Sequence, residues 1–195
     1  IIGEHSSKRY LDTSMPIKPE ILKVTKPEKS ALFHVEQVDL RFSNGEERRF
    51  ERLASSARGA VMVFAIDAQQ NIVLIREYAT GFNDYVLTLP KGVIDPGEDA
   101  LQAANRELQE EAGFGAKELH VIRNMSAVPN YMGNSLTLVV AQNLYESRLE
   151  GDEPEPLEVV KYPLADIEAL AMQSDFHEGR AIAALFLVKQ WLAEQ

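Results

Sequence analysis

The chain has 195 residues, 45% of them hydrophobic and 26% charged, and 30 Asp and Glu against 20 Lys and Arg leave a formal charge of -10. That length fits one domain plus a small appendage, and that charge disfavours a nucleic-acid groove or an anionic-membrane patch. With no cysteine, disulfides, thiolate nucleophiles, Cys-ligated zinc and iron–sulfur clusters are excluded.

Taken in chain order, residues 1–14 show no sustained period and precede Met15; they read as a vector-derived remnant or a disordered tail. Residues 15–57 are expected to form an N-terminal β region. In ALFHVEQVDLRF, Phe33 and Val35 alternate, as do Val38, Leu40 and Phe42, and the slip of phase between them predicts a bulge. Asn44-Gly45 marks a hairpin, since this pair accepts positive φ, and 48–53 is the return strand. A two-stranded ribbon is marginal alone, so this one should pack on its own domain or on a partner subunit.

Residues 58–195 read as the second unit. The continuous apolar run 60–66 predicts a buried strand, 72–75 its return, and 85–89 a short strand ended by Pro90. Residues 91–98 read as a Gly/Pro-rich loop. The clearest helix spans 99–113: Asp99 with Gln102 forms a capping box, Gly113 is the stop, and Leu101, Ala104, Leu108 and Ala112 make an apolar stripe. Strands follow near 120–127 and 135–144, then an acidic, proline-broken loop at 149–156 and the strand LEVVKYP. A short helix near 164–171 and a longer one to Trp191 close the chain, the latter expected to bury Ile182, Leu185, Phe186 and Leu192. No apolar stretch reaches the roughly 18–20 residues that span a bilayer, and no secretory leader is visible, so a cytoplasmic protein is expected.

The chemistry concentrates in GVIDPGEDALQAANRELQEEAGF, residues 92–114. On a helix Glu107 and Glu111 are i, i+4 neighbours and Glu110 lies about 80–100° further round. Ala100 and Ala103 share that flank and leave room above it. Three like charges this close destabilise a helix, Arg106 cannot neutralise them all, and a hard divalent cation such as Mg²⁺ relieves them through oxygen ligands. Gly92 and Gly97 let backbone approach a ligand closely, and a carbonyl near Gly92 adds a neutral ligand. Scattered His34, His120 and His177 make no triad or zinc site.

The spacing of Gly92, Glu98, Arg106, Glu107, Leu108, Glu110, Glu111, Gly113 and Phe114 is G-x₅-E-x₇-R-E-U-x-E-E-x-G-U without a mismatch. The sequence is identified on it as resembling the Nudix hydrolases, which cleave nucleoside diphosphates linked to another group. The resemblance covers roughly 58–195, and a ribbon ahead of the box is similar to the ADP-ribose pyrophosphatase branch. LFHVEQVDLRFSNG, VLIREYA, KGVIDPGE, AANRELQEE and LEGDEPEPL resemble bacterial hydrolases of ADP compounds within it.

The resemblance implies an α/β class fold, the Nudix α/β/α sandwich with a mixed sheet, and a small N-terminal β-ribbon region that builds a homodimer. It implies Mg²⁺, with Mn²⁺ as a substitute, on Glu107 and Glu111, with Glu110 and the Lys91 or Gly92 carbonyl completing the set. Glu98 is then an outer partner or a ligand to a further metal, and Arg106 holds a box glutamate. Glu153 or Glu155 matches the downstream loop glutamate that supplies a base or another ligand. Pro129, sixteen residues beyond Gly113, matches a marker of ADP-ribose hydrolases, and Tyr131 lies near a tyrosine of diadenosine polyphosphate hydrolases. Arg52 and Arg76 are candidate phosphate or adenine contacts and Phe33 a candidate base stack, each set against a plainer role as a salt bridge or core aromatic. The implied reaction is hydrolysis of ADP-ribose to AMP and ribose 5-phosphate, with Ap₃A and NADH as further candidates, and no nucleic-acid or membrane partner. The alternatives are another nucleoside-diphosphate substrate such as GDP-mannose, or a ligand sensor without turnover.

Overall fold

The computed structural model describes residues 34–54 and 58–195; Phe33 and the segment 1–14 lie outside them. The order is β1 (Val35–Arg41), β2 (Glu47–Leu53), β3 (Ala60–Ile66), β4 (Asn71–Ala79), β5 (Asp84–Thr88), β6 (Lys91–Val93), α1 (Ala100–Ala112), β7 (Phe114–Ser126), β8 (Ser135–Glu146), β9 (Glu158–Pro163), α2 (Ile167–Ala171) and α3 (Gly179–Ala193).

The run AVMVFAI is apolar throughout because β3 is buried on both faces. Val61, Val63 and Ala65 pack under Ala103, Ala104, Leu108 and Ala112 of α1. Met62, Phe64 and Ile66 point the other way, onto Ile167 and Leu170 of α2 and Ala181, Leu185 and Val188 of α3. The result is an α/β/α sandwich around a mixed sheet. β3 lies parallel to β8, and the other pairs are antiparallel.

One detail of the sheet positions the site. β3 and β4 pair only at Ala65↔Val73 and Ile66↔Ile72, beside their turn. Beyond it they part. β6 takes the edge of β3 at Ala60–Met62, and β5 takes the edge of β4 at Ile75–Ala79. β9 runs along the other edge of β4, Asn71 to Arg76. The parting of two central strands leaves a mouth under α1.

Four expectations from sequence need correction. The ribbon has no bulge, because β1 and β2 pair without a break from Val35↔Leu53 to Arg41↔Glu47. The phase slip instead puts apolar groups on both faces: Val38, Leu40, Phe42 and Phe50 on one, Val35 and Leu53 on the other. The supposed loop 91–98 begins with the strand β6, too short to leave a period in the sequence. Ala103 leaves no open room above the helix flank, since it is fully buried in the core. Phe186 is 55% exposed, because α3 buries the row Ala181, Ala184, Leu185 and Val188 and Phe186 lies a residue's turn past it. Among the described residues no helix is long and apolar enough to cross a membrane.

Candidate active site

The site is built on α1, whose ends are fixed by its own sequence. Asp99 accepts from the backbone N–H of Leu101 and Gln102 (2.9 Å each), and the Gln102 side chain accepts from the N–H of Asp99 (2.9 Å). Gly113 ends the helix in the left-handed region at φ 74°. Between these ends the row Ala103, Glu107, Glu111 faces the sheet, so two carboxylates are buried beside an apolar stripe.

Arg106 ties the segment together. Its guanidinium donates to Glu98 (2.9 and 3.0 Å), Glu107 (2.7 Å), Glu110 (2.8 Å) and the Val93 carbonyl (2.9 Å). Strand, loop and helix of the box are thus joined through one planar cation. Glu98 is committed to this bond and to the Asp95 N–H (3.1 Å). The neighbouring guanidinium holds its carboxyl below the usual range.

Gly92 has a different reason to be glycine than ligand approach alone. A Cβ there would lie 2.0 Å from the Glu107 carboxylate, so the bare backbone makes the seat for that side chain. Next to it, the Lys91 N–H donates to Glu111 (2.8 Å), and the Lys91 ammonium pairs with Glu77.

Glu77 is the residue that sequence reasoning missed. It sits on the parted half of β4, and its oxygens gather with those of Glu111 and Glu153 within 4.8 Å of one another. Alternation held the clue: Val73 and Ile75 face α1, so Glu77 must as well. Glu153 comes from the acidic loop between β8 and β9, which lines the same cleft as Glu107, Glu110 and Glu111.

Burial and mutual repulsion weigh on these groups. Burial pushes Glu111 up to about 8, helped by Glu107 and Glu77 and opposed by the Lys91 N–H. Burial also raises Glu107, with Arg106 opposing, and raises Glu153, with Glu77 and Asp152 adding to it. Carboxylates held at such a cost fit a divalent cation: the donors are hard oxygens, they converge from a strand, a helix and a loop, and one ammonium alone cannot balance them.

The other candidates fall outside this cluster. Glu107 and Glu110 line the cleft but turn their carboxylates to Arg106. Glu155 accepts from the Tyr85 hydroxyl instead of joining Glu153. Arg76 does not reach the cleft: it alternates away from Glu77, is buried, and donates to Glu158 (3.0 Å) and Asp175 (2.9 Å). Arg52 is an exposed partner of Glu36 on the ribbon (2.9 Å). Pro129 and Tyr131 lie in the β7–β8 loop, where the Tyr131 carbonyl accepts from Leu53 at the end of β2 (2.7 Å).

A cleft of gathered carboxylates on an α/β/α sandwich calls for a family to give it a reaction, and residues 56–185 match the NUDIX domain family. The chain belongs to the Nudix hydrolases. Residues 19–52 match the NudE-type Nudix hydrolase N-terminal domain. The chain is 50% identical over 178 residues to the ADP compounds hydrolase NudE of Escherichia coli (strain K12), across 91% of this chain and 95% of that one. An ADP-ribose pyrophosphatase of Bacillus subtilis (strain 168) is 27% identical over 154 residues, covering 78% and 81%. A crystal structure of an ADP compounds hydrolase superposes with a TM-score of 0.82 at 49% identity, covering 94% of this chain and 98% of that one.

Proposed function

We propose that this protein is a cytoplasmic, Mg²⁺-dependent hydrolase of ADP-linked compounds. It cleaves ADP-ribose to AMP and ribose 5-phosphate, accepts Ap₃A and NADH as further candidates, and works with Mn²⁺ in place of Mg²⁺. The observation that carries this reading is the gathering of Glu77, Glu111 and Glu153 beside the Arg106-braced glutamates of the box. Similarity to hydrolases named for ADP compounds and ADP-ribose supports the choice of substrate.

A bound divalent cation neutralises phosphate oxygens and acidifies a water, which lets an acidic protein hold a pyrophosphate. The chain's own residues do the rest. Glu111, fixed by the Lys91 N–H, and Glu107, seated over Gly92, would hold the cation with Glu77. Arg106 fixes the Glu107 and Glu110 carboxylates at the rim of the same cleft. Glu153 is the proposed base. Burial raises its proton affinity, so it accepts the proton as water attacks phosphorus and the anhydride P–O bond breaks.

The proposed active form is a homodimer. The ribbon supports this: Leu40, Phe42 and Phe50 are each close to half exposed on one face, a surface a second subunit would cover. The deciding experiment for the substrate is a panel of ADP-ribose, Ap₃A, NADH and GDP-mannose with Mg²⁺. Fastest turnover on an ADP compound, abolished by EDTA, is the expected result. Preference for GDP-mannose, or binding of ADP-ribose without turnover, would overturn it.

A further inference from the structure

The loop that carries Glu153 bears two more carboxylates just beyond it, and both are gripped from the body of the protein. Tyr85 on β5 donates its hydroxyl to Glu155. Arg76 on β4 donates to Glu158, the first residue of β9 and its direct neighbour in register. Tyr85 stands across from Tyr78 in the β4–β5 pair, with the two rings 5.5 Å apart, edge to face. By alternation Tyr78 and Arg76 share one face of β4, the face opposite Glu77. The arrangement is therefore two-sided: Glu153 meets Glu77 and Glu111 on the face under α1, while Glu155 and Glu158 are held from behind.

The near end of the loop is fixed as well. The Ser147 hydroxyl bonds Gln109 (2.7 Å), and the Leu149 N–H donates to the Gln109 carbonyl (3.3 Å). Gly151 lies against Glu110, where a Cβ would come within 3.3 Å of that side chain. Glu153 is more than forty residues downstream of Glu107 in the chain, and the box touches its loop only near the loop's start, at Gln109 and Glu110. Its place depends on these anchors.

We propose that Arg76 and Tyr85 are positioning residues, a clamp on Glu155 and Glu158 that sets Glu153 into the carboxylate cluster. This rests on the reading of the cleft as a metal-dependent hydrolase site, and it assigns Glu155 to holding the loop rather than to chemistry. Arg76 has a second hold on Asp175, whose carbonyl also accepts from Leu87 (3.0 Å), so the clamp is braced by the segment before α3.

Tyr85→Phe is the primary test, because it removes one hydroxyl and keeps the ring. With ADP-ribose and Mg²⁺, kcat should fall by about tenfold with KM within about twofold, since a small misplacement of a catalytic group costs turnover rather than binding. Glu155→Ala should match it, the double variant should be no worse than either alone, and Glu155→Gln, which keeps an acceptor oxygen, should recover most of the rate. Arg76→Lys should lower kcat in the same way, and melting temperatures measured alongside should leave Tyr85→Phe close to the unaltered protein. A wild-type kcat in Tyr85→Phe, a loss confined to KM, or independent effects that multiply in the double variant would overturn the clamp. Glu153→Gln in the same assay separates the two failures. If it is inactive while Tyr85→Phe is unchanged, only the clamp is wrong; if the unaltered protein shows no metal-dependent turnover, the functional reading is wrong.

Discussion

The ribbon and the cleft are both rich in charge, and they spend it in opposite ways. On the ribbon each cation has its own anion: Arg41 with Glu47, Arg49 with Asp39, Arg52 with Glu36, Arg48 with Glu46, all substantially exposed. In the cleft Arg106 is shared among Glu98, Glu107 and Glu110, and Lys91 serves Glu77 and Glu111. Exposed one-to-one pairs are nearly neutral in stability. Buried carboxylates in excess are a standing cost, one that a bound cation would offset. Charge count alone does not distinguish these regions; stoichiometry and burial do.

The largest effect that bears on this comparison is expected from Glu111→Gln. It should cut kcat by about a hundredfold or more in a Mg²⁺ assay while leaving the circular dichroism spectrum unchanged. A near-normal rate would remove Glu111 from the metal site. Gly92→Ala comes next, since its methyl would strike the Glu107 carboxylate. We expect about a ten- to hundredfold loss of kcat, read from initial rates at saturating substrate and metal.

A pH series sharpens the contrast without mutation. Burial raises Glu111 to about 8 in the folded protein, well above its value in the unfolded chain, so the native state binds the extra proton. Stability of the metal-free protein should therefore fall as pH rises from about 4.5 towards 8 and level off above. Saturating Mg²⁺ should flatten that slope. Melting curves in EDTA and in Mg²⁺ would show it, and parallel slopes would contradict it.

On the ribbon, Phe50→Asp should convert a dimer to a monomer by light scattering at micromolar concentration. An unaltered protein that is already monomeric there would remove the proposed dimer. The smallest effect is expected from Arg49→Ala, which breaks an exposed pair with Asp39. Stability should stay within about 0.5 kcal/mol and activity should not change.

What the amino-acid sequence made legible is what is local. The box helix, its capping box and its glycine stop follow from residues within a turn of one another, and the buried strand 60–66 from an unbroken apolar run. Glu77 was illegible as a site residue because a lone glutamate in IREYA acquires meaning only when β4 parts from β3 and faces α1. The pair Glu153 and Glu155 carried the same signal, and only the position of Tyr85 separates them. Arg76 takes the plainer of its two expected roles, a salt bridge, but its partners Glu158 and Asp175 were not legible because they are more than eighty residues away.

The bonds of Arg106 have one more consequence. A strand, a loop and a capped helix joined through a single guanidinium form a cassette that keeps its shape independently of the distant loops around it. Residues that meet the rest of a substrate between β7 and β8 can then vary without disturbing the carboxylates that Arg106 holds. Such a division lets one piece of chemistry be refitted to many leaving groups.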